Sequence, residues 1–370
     1  MKICYIFPSA LPSKNASSLQ TAKMADALSS LSDLSLFLPD TGLRDISVKK
    51  FYNLKNNLNI IRLKRFKKFP IGIDHYFFAL SSIIRSFKLK PDFYITRMFI
   101  VSVFLTLFKK KHILEIHNDM NLEGRIVRFI FKYLNFFNSK YIKKIVTTTQ
   151  SLKNYYSLKY NIKEKKIVVI PNGSSFSKGS KIYFKSEIKN IGYFGSLNQS
   201  RGLMRIFFLA RKFTNLNFYI YGGEKSEIEK LKKKFRKKNI FFNAYLDQHK
   251  IEIMMKKMDV LLLPYTDKIT VAGDVGNMFD FTSPLKMFDY LALGKIIISS
   301  DIKVLNEILV DKKNCFFVKN YLNDYAWELK LKEVLFNNTK NQIICMNALK
   351  LSEFFTTKKR AKKFLSIFKN

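Results

Sequence analysis

Acidic residues are scarce in this chain. Its 370 residues hold 28 Asp and Glu against 66 Lys and Arg, a formal net charge of +38. Cysteine is scarcer still: Cys4, Cys315 and Cys345 are far apart and odd in number. A disulfide framework and a paired C-x-x-C zinc site are excluded, and a reducing compartment is expected. Long apolar runs are missing. The longest, Met98 to Phe108, is interrupted by Ser102 and Thr106 and stops at Lys109-Lys110-Lys111, whereas a membrane span needs about 20 residues. The opening stretch MKICYIFPSALPSKN reads as a first strand rather than a signal peptide, whose apolar region is longer. D-x-D, H-E-x-x-H, G-x-S-x-G, G-x-x-x-x-G-K-[ST] and any Cys/His cluster are absent. No metal and no cofactor are therefore expected, and neither a serine hydrolase nor a P-loop NTPase.

What is there suffices for a folded protein. At 47% hydrophobic the chain can bury a core, and its length fits two domains. The positive excess is spread evenly: residues 1–170 carry 30 basic and 10 acidic side chains, the rest 36 and 18. Abundant Lys, Asn, Ile and Phe suggest coding bias, but bias alone does not deplete Glu, so a polyanionic partner remains expected.

Strands and helices alternate. Lys2–Phe7, Leu34–Leu38, Asn59–Leu63, Asp92–Thr96, His112–His117 and Lys144–Thr148 read as strands, with helices at Leu19–Leu31 and Gly124–Ser139. The rhythm restarts after the polar stretch Asn172–Glu187. Strands then fall at Asn190–Phe194, Asn217–Tyr221, Ile240–Phe242, Val260–Pro264, Ile296–Ser299 and Cys315–Val318. Helices fit at Arg201–Phe213, Glu227–Lys238, Lys250–Lys257, Leu285–Leu293 and Val304–Leu309, and a basic amphipathic helix runs from Ser352. Two doubly wound α/β domains with parallel sheets follow from this pattern.

Three segments suit chemistry. In TSPLKMFDYLALGK (282–295), Ser283 and Pro284 open a helix whose N-terminus suits a diphosphate. Lys286 adds a full charge in the first turn, where cations are normally disfavoured, and Asp289 on the same face suits ribose hydroxyls. In YFGSLNQSRG (193–202), Gly195 and Ser196 form a small-residue turn before Arg201, whose guanidinium can fork onto phosphate. In EIHND (115–119), His117 sits at the carboxyl end of an apolar strand; His75, His112 and His249 have no comparable placement.

These segments, with ITR (95–97), VIPNG (169–173), YIYGGE (219–224) and DVLLLPY (259–265), resemble the group 1 (family four) retaining glycosyltransferases of the GT-B fold over nearly the full length. The resemblance implies two Rossmann-like domains facing a central cleft: an acceptor-side domain at 1–173, a nucleotide-sugar-binding domain at 174–352, and a closing helix at about 353–370 that packs back on the first. It implies that Arg201 and Lys286 hold the donor diphosphate and that Ser283, Pro284 and Leu285 lie beside it. By the same resemblance Asp289 binds the ribose, Gly195, Ser196 and Gly222 line the donor, His117 lies near the transferred sugar, and Asn15 and Ser17 belong to a loop approaching donor and acceptor. One departure stands out. Eight positions before Asp289 the family's first Glu of E-x7-E is replaced by Phe281, with Asp280 out of register, and Asp289 itself replaces the second Glu.

The implied function is metal-independent transfer of a sugar from a nucleotide-sugar to a glycan or lipid-linked acceptor in polysaccharide or lipopolysaccharide assembly. The protein is expected to be cytoplasmic and peripheral at the inner membrane face. Lys64–Phe78, Lys109–Lys111 and Lys140–Lys144 are the segments expected to meet an anionic bilayer or a lipid-diphosphate acceptor. A catalytically silent GT-B-like binding subunit, a sugar epimerase and a nucleic-acid-binding protein are the rival readings, the last without an RNP motif, zinc finger or helix-turn-helix.

Overall fold

A computed structural model describes residues 1–40, 45–64, 73–176, 187–270 and 277–369. The chain divides into two units, Met1–Pro171 with Thr357–Asn370, and Asn172–Thr356. The first unit runs β1 (Lys2–Ile6), α1 (Ala16–Ser29), β2 (Asp33–Pro39), α2 (Asp45–Tyr52), β3 (Asn59–Leu63), α3 (Ile73–Phe87), β4 (Phe93–Thr96), α4 (Phe99–Leu107), β5 (His112–Ile116), α5 (Arg125–Tyr133), β6 (Ile142–Thr147), α6 (Gln150–Lys159) and β7 (Ile167–Val169). Its seven strands are ordered β3-β2-β1-β4-β5-β6-β7, and every pairing is parallel. The order reverses between β1 and β4, where the carboxyl ends of a doubly wound sheet leave room for a ligand.

The second unit runs β8 (Asn190–Phe194), α7 (Leu203–Lys212), β9 (Asn217–Tyr221), α8 (Lys225–Lys234), β10 (Ile240–Asn243), α9 (Gln248–Lys257), β11 (Val260–Leu263), α10 (Leu285–Ala292), β12 (Ile296–Ser300), β13 (Phe316–Val318), α11 (Asp324–Phe336) and α12 (Asn338–Ser352). Its six parallel strands are ordered β10-β9-β8-β11-β12-β13, with the switch between β8 and β11. Both units thus have the doubly wound α/β architecture expected from the sequence.

Helices cover both faces of each sheet, so central strands are buried along their length; all four residues of β11 and all five of β12 are buried. In the second unit Trp327 is fully buried and donates its indole N–H to the Tyr321 carbonyl at 2.9 Å. In the first, buried His112 pins α4 to β5 through Ser102 Oγ at 2.7 Å. Cys4, Cys315 and Cys345 are all buried and unpaired. Among the described residues no helix is long and apolar enough to cross a membrane.

The last helix, α13 (Thr357–Lys369), belongs to the first unit. Ala361, Phe364, Leu365 and Phe368 recur at helical spacing and enter the core that contains β1, β2 and α1, with Phe368 stacked on Phe93 at 4.2 Å.

Element ends depart from the sequence reading at several places. The helix expected over Leu19–Leu31 spans Ala16–Ser29, and the one expected over Glu227–Lys238 spans Lys225–Lys234, opened by a Glu224/Glu227 capping box. The helix expected over Gly124–Ser139 stops at Tyr133: Asn135, at φ +49°, turns the chain into a single 3₁₀ turn, Phe136–Asn138. Asn tolerates that left-handed conformation, and the apolar period had carried the expectation past it. Val304–Leu309 forms only a 3₁₀ turn, Leu305–Glu307, because two buried leucines suffice to anchor a connection without a full helix. The helix expected from Ser352 begins at Thr357. Its first residues are spent on a crossing segment, where the Phe355 carbonyl accepts from the Ser174 amide at 2.9 Å and Thr356 bridges Ser174. Arg201 lies in a 3₁₀ turn, Gln199–Arg201, ahead of α7 rather than at its first residue.

Phe364 is fully buried. Phe364→Ala is expected to cost about 3–5 kcal/mol, the usual loss for emptying a buried aromatic site, read as a lowered midpoint of the first transition in urea.

Candidate functional site

At the β8/β11 switch of the second unit the backbone comes unusually close to a cation. Gly222, following β9, has φ +142°, and a Cβ there would lie 1.9 Å from the Gly195 carbonyl oxygen. Gly195, following β8, would put a Cβ 3.1 Å from Lys286 Nζ. Only glycine at 222 lets the Gly195 turn sit there, and only a small residue at 195 leaves Lys286 in place.

Lys286 lies in the first turn of α10. Its Nζ sits 4.2 Å from the Tyr193 ring centroid and 5.1 Å from that of Tyr265. The Arg201 guanidinium stands 5.6 Å from the same Tyr265 ring and donates from Nη2 to the Thr270 carbonyl at 3.0 Å. Tyr193 is held in turn by donating its hydroxyl to the Ser196 carbonyl at 2.8 Å. Ring faces attract cations, so two half-buried positive groups share one aromatic wall. Among the described residues no carboxylate pairs with either. Burial, and then the Arg201 charge, hold the Lys286 ammonium well below the ordinary lysine range. A site that concentrates two cations without an anion is chemically prepared to receive one.

The start of α10 differs from the expected cap. Pro284, extended at φ −71° and ψ 125°, takes the N-cap position without a side-chain cap bond. Ser283 instead accepts from Asn172 Nδ2, at its carbonyl (3.0 Å) and its hydroxyl (3.3 Å). Proline brings no N–H, so Leu285 and Lys286 supply the first amides at the positive end of the helix. Asp289, one turn on, accepts from Ser174 Oγ at 2.6 Å. Phe281 packs against the apolar cluster that includes Phe288 and Tyr290, and Asp280 is exposed.

In the first unit, His117 follows β5 directly and its Nε2 lies 2.5 Å from Glu115 Oε1. That oxygen also receives Arg360 Nη2 of α13 at 2.7 Å and Gln20 Nε2 of α1 at 3.2 Å. Arg97, just past β4, donates to Gln20 Oε1 (2.8 Å), to the Ser17 carbonyl (3.3 Å) and to Thr21 (3.2 Å). Burial raises the Glu115 carboxyl, but Arg360, His117 and Arg97 outweigh it and hold the group well below the carboxylate range. Burial and the Arg97 charge push His117 down to about 4, against the pull of Glu115. His117 is thus neutral near pH 7.

The structure brings Gly195, Gly222, Arg201 and Lys286 into one cluster, and Ser283 and Asp289 onto the segment 172–174. Ser196 is exposed and contributes its carbonyl. Asn15 is the exposed N-cap of α1, while Ser17, expected in the preceding loop, lies inside the first turn of that helix. The first five residues of the loop Ala272–Thr282 and the central part of Lys64–Phe78 lie outside the described residues. Sequence reasoning missed Tyr193, Tyr265, Asn172, Ser174, Arg97, Gln20 and Arg360. The Arg360 pair left a signal at both ends: Glu115 interrupts an apolar strand and Arg360 interrupts the apolar stripe of a basic helix, each a charge calling for a buried partner. Among the described residues no group of three or more His, Cys, Asp or Glu is placed to hold a metal ion.

Residues 180–350 match the family described as glycosyl transferases group 1. No curated protein matches the chain in sequence. Solved structures show the same fold, the GT-B fold. A glycosyltransferase from Rickettsia africae has 16% identity and a TM-score of 0.71, covering 100% of this chain and 97% of its own. HepE of Anabaena, in complex with UDP, has 12% identity and a TM-score of 0.72, covering 100% of both chains. WaaG, a glycosyltransferase involved in lipopolysaccharide biosynthesis, has 11% identity and a TM-score of 0.66, covering 100% of this chain and 99% of its own.

Between its depressed native pKa and its higher unfolded one, Lys286 binds fewer protons folded than unfolded, so it weakens the fold most at lower pH and ceases to do so as pH rises past the unfolded value. Lys286→Met is therefore expected to raise the melting temperature of the ligand-free protein near pH 7 by about 2–4 °C, the shift that goes with each kcal/mol at this size. Calorimetry should show the gain shrinking towards pH 10; a loss of stability at pH 7 would refute the uncompensated-charge account.

Proposed function

We propose, for a chain whose residues 180–350 match the group 1 glycosyl transferases, that it is a retaining enzyme moving a sugar from a nucleotide-diphosphate sugar to a glycan or lipid-linked acceptor in cell-surface polysaccharide or lipopolysaccharide assembly. The observation that carries this reading is the pair of half-buried cations, Arg201 and Lys286, set on Tyr265 beside the start of α10 with no carboxylate partner among the described residues. Negative charge grows on the diphosphate as the glycosidic bond breaks. Lys286, Arg201 and the Leu285 and Lys286 amides would stabilise it, each preorganised donor being worth about 2.7–4 kcal/mol. These groups would do the work a divalent cation does elsewhere, so the reaction is proposed to need no metal.

Asp289, oriented by Ser174, would take the ribose hydroxyls. By the resemblance His117 would lie near the transferred sugar, and Asn15 and Ser17 in a segment approaching donor and acceptor. Attack of the acceptor hydroxyl on the face the diphosphate leaves, with the departing phosphate taking the proton, would retain the anomeric configuration. UDP, the nucleotide bound in the HepE structure, is the first donor base to test, and WaaG's part in lipopolysaccharide biosynthesis supports the proposed acceptor class. A second reading, a silent binding subunit, draws on Phe281, which leaves an apolar ring where the family has a carboxylate.

Nucleotide release from UDP-, GDP- and CMP-sugars in the presence of acceptor separates the two. Transfer by the native chain and a more than about 100-fold loss in Lys286→Met are expected. Nucleoside diphosphate that stabilises the native chain without turnover would favour the silent subunit, and near-normal turnover in the variant would remove Lys286 from the mechanism.

A peripheral place on an anionic bilayer is proposed as well. Lys109, Lys110, Lys111 and Lys140 are exposed, whereas Lys144 is half-buried and donates to the Lys165 carbonyl. Helix α5 offers more: Ile126, Phe129 and Tyr133 are 57–63% exposed at spacings of three and four, with Arg125 and Lys132 exposed beside them. An apolar stripe flanked by cations matches the boundary between acyl chains and acidic headgroups. In flotation, binding to phosphatidylglycerol vesicles but not to phosphatidylcholine vesicles is expected, and Ile126→Ser with Phe129→Ser should abolish it. Flotation unaffected by the double change would reject α5 as the contact.

A further inference from the structure

Three separate elements of the first unit, β5, α1 and α13, meet at one buried oxygen. Glu115 on β5 is 1% exposed, yet it is ionised among three donors: Arg360 from α13, Gln20 from α1 and His117 past its own strand. Arg360 is itself 4% exposed and fixed twice more, by Nε donating to the Pro171 carbonyl at 3.1 Å and by its guanidinium lying 4.8 Å from the Phe364 ring. Gln20 cannot turn its amide round, because its Oε1 is committed to Arg97 at 2.8 Å. Its Nε2 therefore faces Glu115.

A carboxylate only accepts hydrogen bonds. The contact between Glu115 Oε1 and His117 Nε2 thus requires the proton on Nε2, and a neutral ring protonated there keeps a lone pair on Nδ1. We propose that Arg360 and Glu115 are positioning residues for His117: Arg360 keeps Glu115 ionised, and Glu115 fixes the Nε2–H tautomer, so that His117 presents Nδ1 as an acceptor to a hydroxyl of the sugar substrate. The inference rests on the reading of His117 as a sugar-side residue.

The charged groups around the imidazole are Glu115 on its own segment, Arg97 past β4 and Arg360 on α13, and their balance favours the neutral ring. The chemistry recognised at Nδ1 is then a hydrogen-bond donor. An anionic group, such as the carboxylate of a uronic acid, meets an acceptor there and is disfavoured; a neutral hexose hydroxyl is matched. The opposite tautomer would reverse that preference with no change in the shape of the site. Such a polarity choice has to be enforced from behind, and an ionised carboxylate held by a buried arginine enforces it more firmly than a backbone carbonyl on a mobile loop.

The test begins with the native full chain and needs no activity. The two imidazole ¹⁵N shifts of His117, assigned by comparison with His117→Asn, report its protonation directly. The expected result is the neutral Nε2–H form throughout pH 5.5–8. An imidazolium at pH 7, or the Nδ1–H form, would overturn the proposal. Glu115→Gln should yield a mixture of tautomers, and kcat should drop by about tenfold or more while KM for the donor moves less than about threefold. Arg360→Lys keeps the charge and serves if Glu115→Gln does not fold; it should preserve the tautomer and recover most of the kcat. A single Nε2–H tautomer persisting in folded Glu115→Gln would also overturn it. Full transfer by His117→Asn, with the native tautomer as expected, would instead refute the sugar-side role of His117 and leave the positioning network standing.

Discussion

The buried contact between Arg360 and Glu115 ties the last helix of the first unit to its sheet. A carboxylate in the middle of a buried parallel strand is tolerable only with a full countercharge, and the countercharge arrives on a helix 245 residues further along the chain. Removing either partner would leave the other ion stranded, a loss of about 3–5 kcal/mol. The same contact fixes α13 against the sheet, where Phe364 and Phe368 then bury their rings. Apolar packing supplies the bulk of the attraction; the ion pair supplies the register, since the helix has one rotation that brings Arg360 to Glu115.

The second unit follows the opposite electrostatic rule. There two cations are concentrated on aromatic faces with no carboxylate partner among the described residues, an arrangement that weakens the empty protein and strengthens its hold on an anion. Gly195 and Gly222 admit the backbone to the same place, and Asn172 and Ser174 tie Ser283 and Asp289 to the segment entering the unit. The buried ion cluster of the first unit is therefore neutralised from within, whereas the cation cluster of the second is left for a ligand to neutralise. A chain with 66 basic and 28 acidic residues has few carboxylates to place, and Glu115 is spent on structure while Lys286 and Arg201 receive none among the described residues.

The fold was legible because both sheets are parallel and buried: Val260–Pro264 and Ile296–Ser299 are unbroken apolar runs that admit few other readings. Helix ends were less legible. Phe136 and Phe137 continue the apolar period of α5 past the point where Asn135 turns the chain, and Phe354 and Phe355 do the same ahead of α13. At the candidate site, Lys286, Arg201 and Gly195 announced themselves through residue types that are costly or unusual where they stand. Tyr193 and Tyr265 did not, since an aromatic residue in an apolar strand looks like core until a cation is found on its face. Glu115 and Arg360 could be suspected singly but not paired, because nothing local links a strand residue to a helix so distant in sequence.

The return of α13 to the first unit has a consequence for the order in which the halves mature. A ribosome completes residues 172–356 before it makes Arg360, and at about 5–20 residues per second that interval lasts about 10–40 s. Throughout it Glu115 has no guanidinium, and the face of α1 that will receive Phe364 is uncovered. The second unit, contiguous in sequence, can finish first. The half begun earliest is completed last, and for that interval the nascent chain carries an open apolar face and an uncompensated carboxylate at its amino-terminal end.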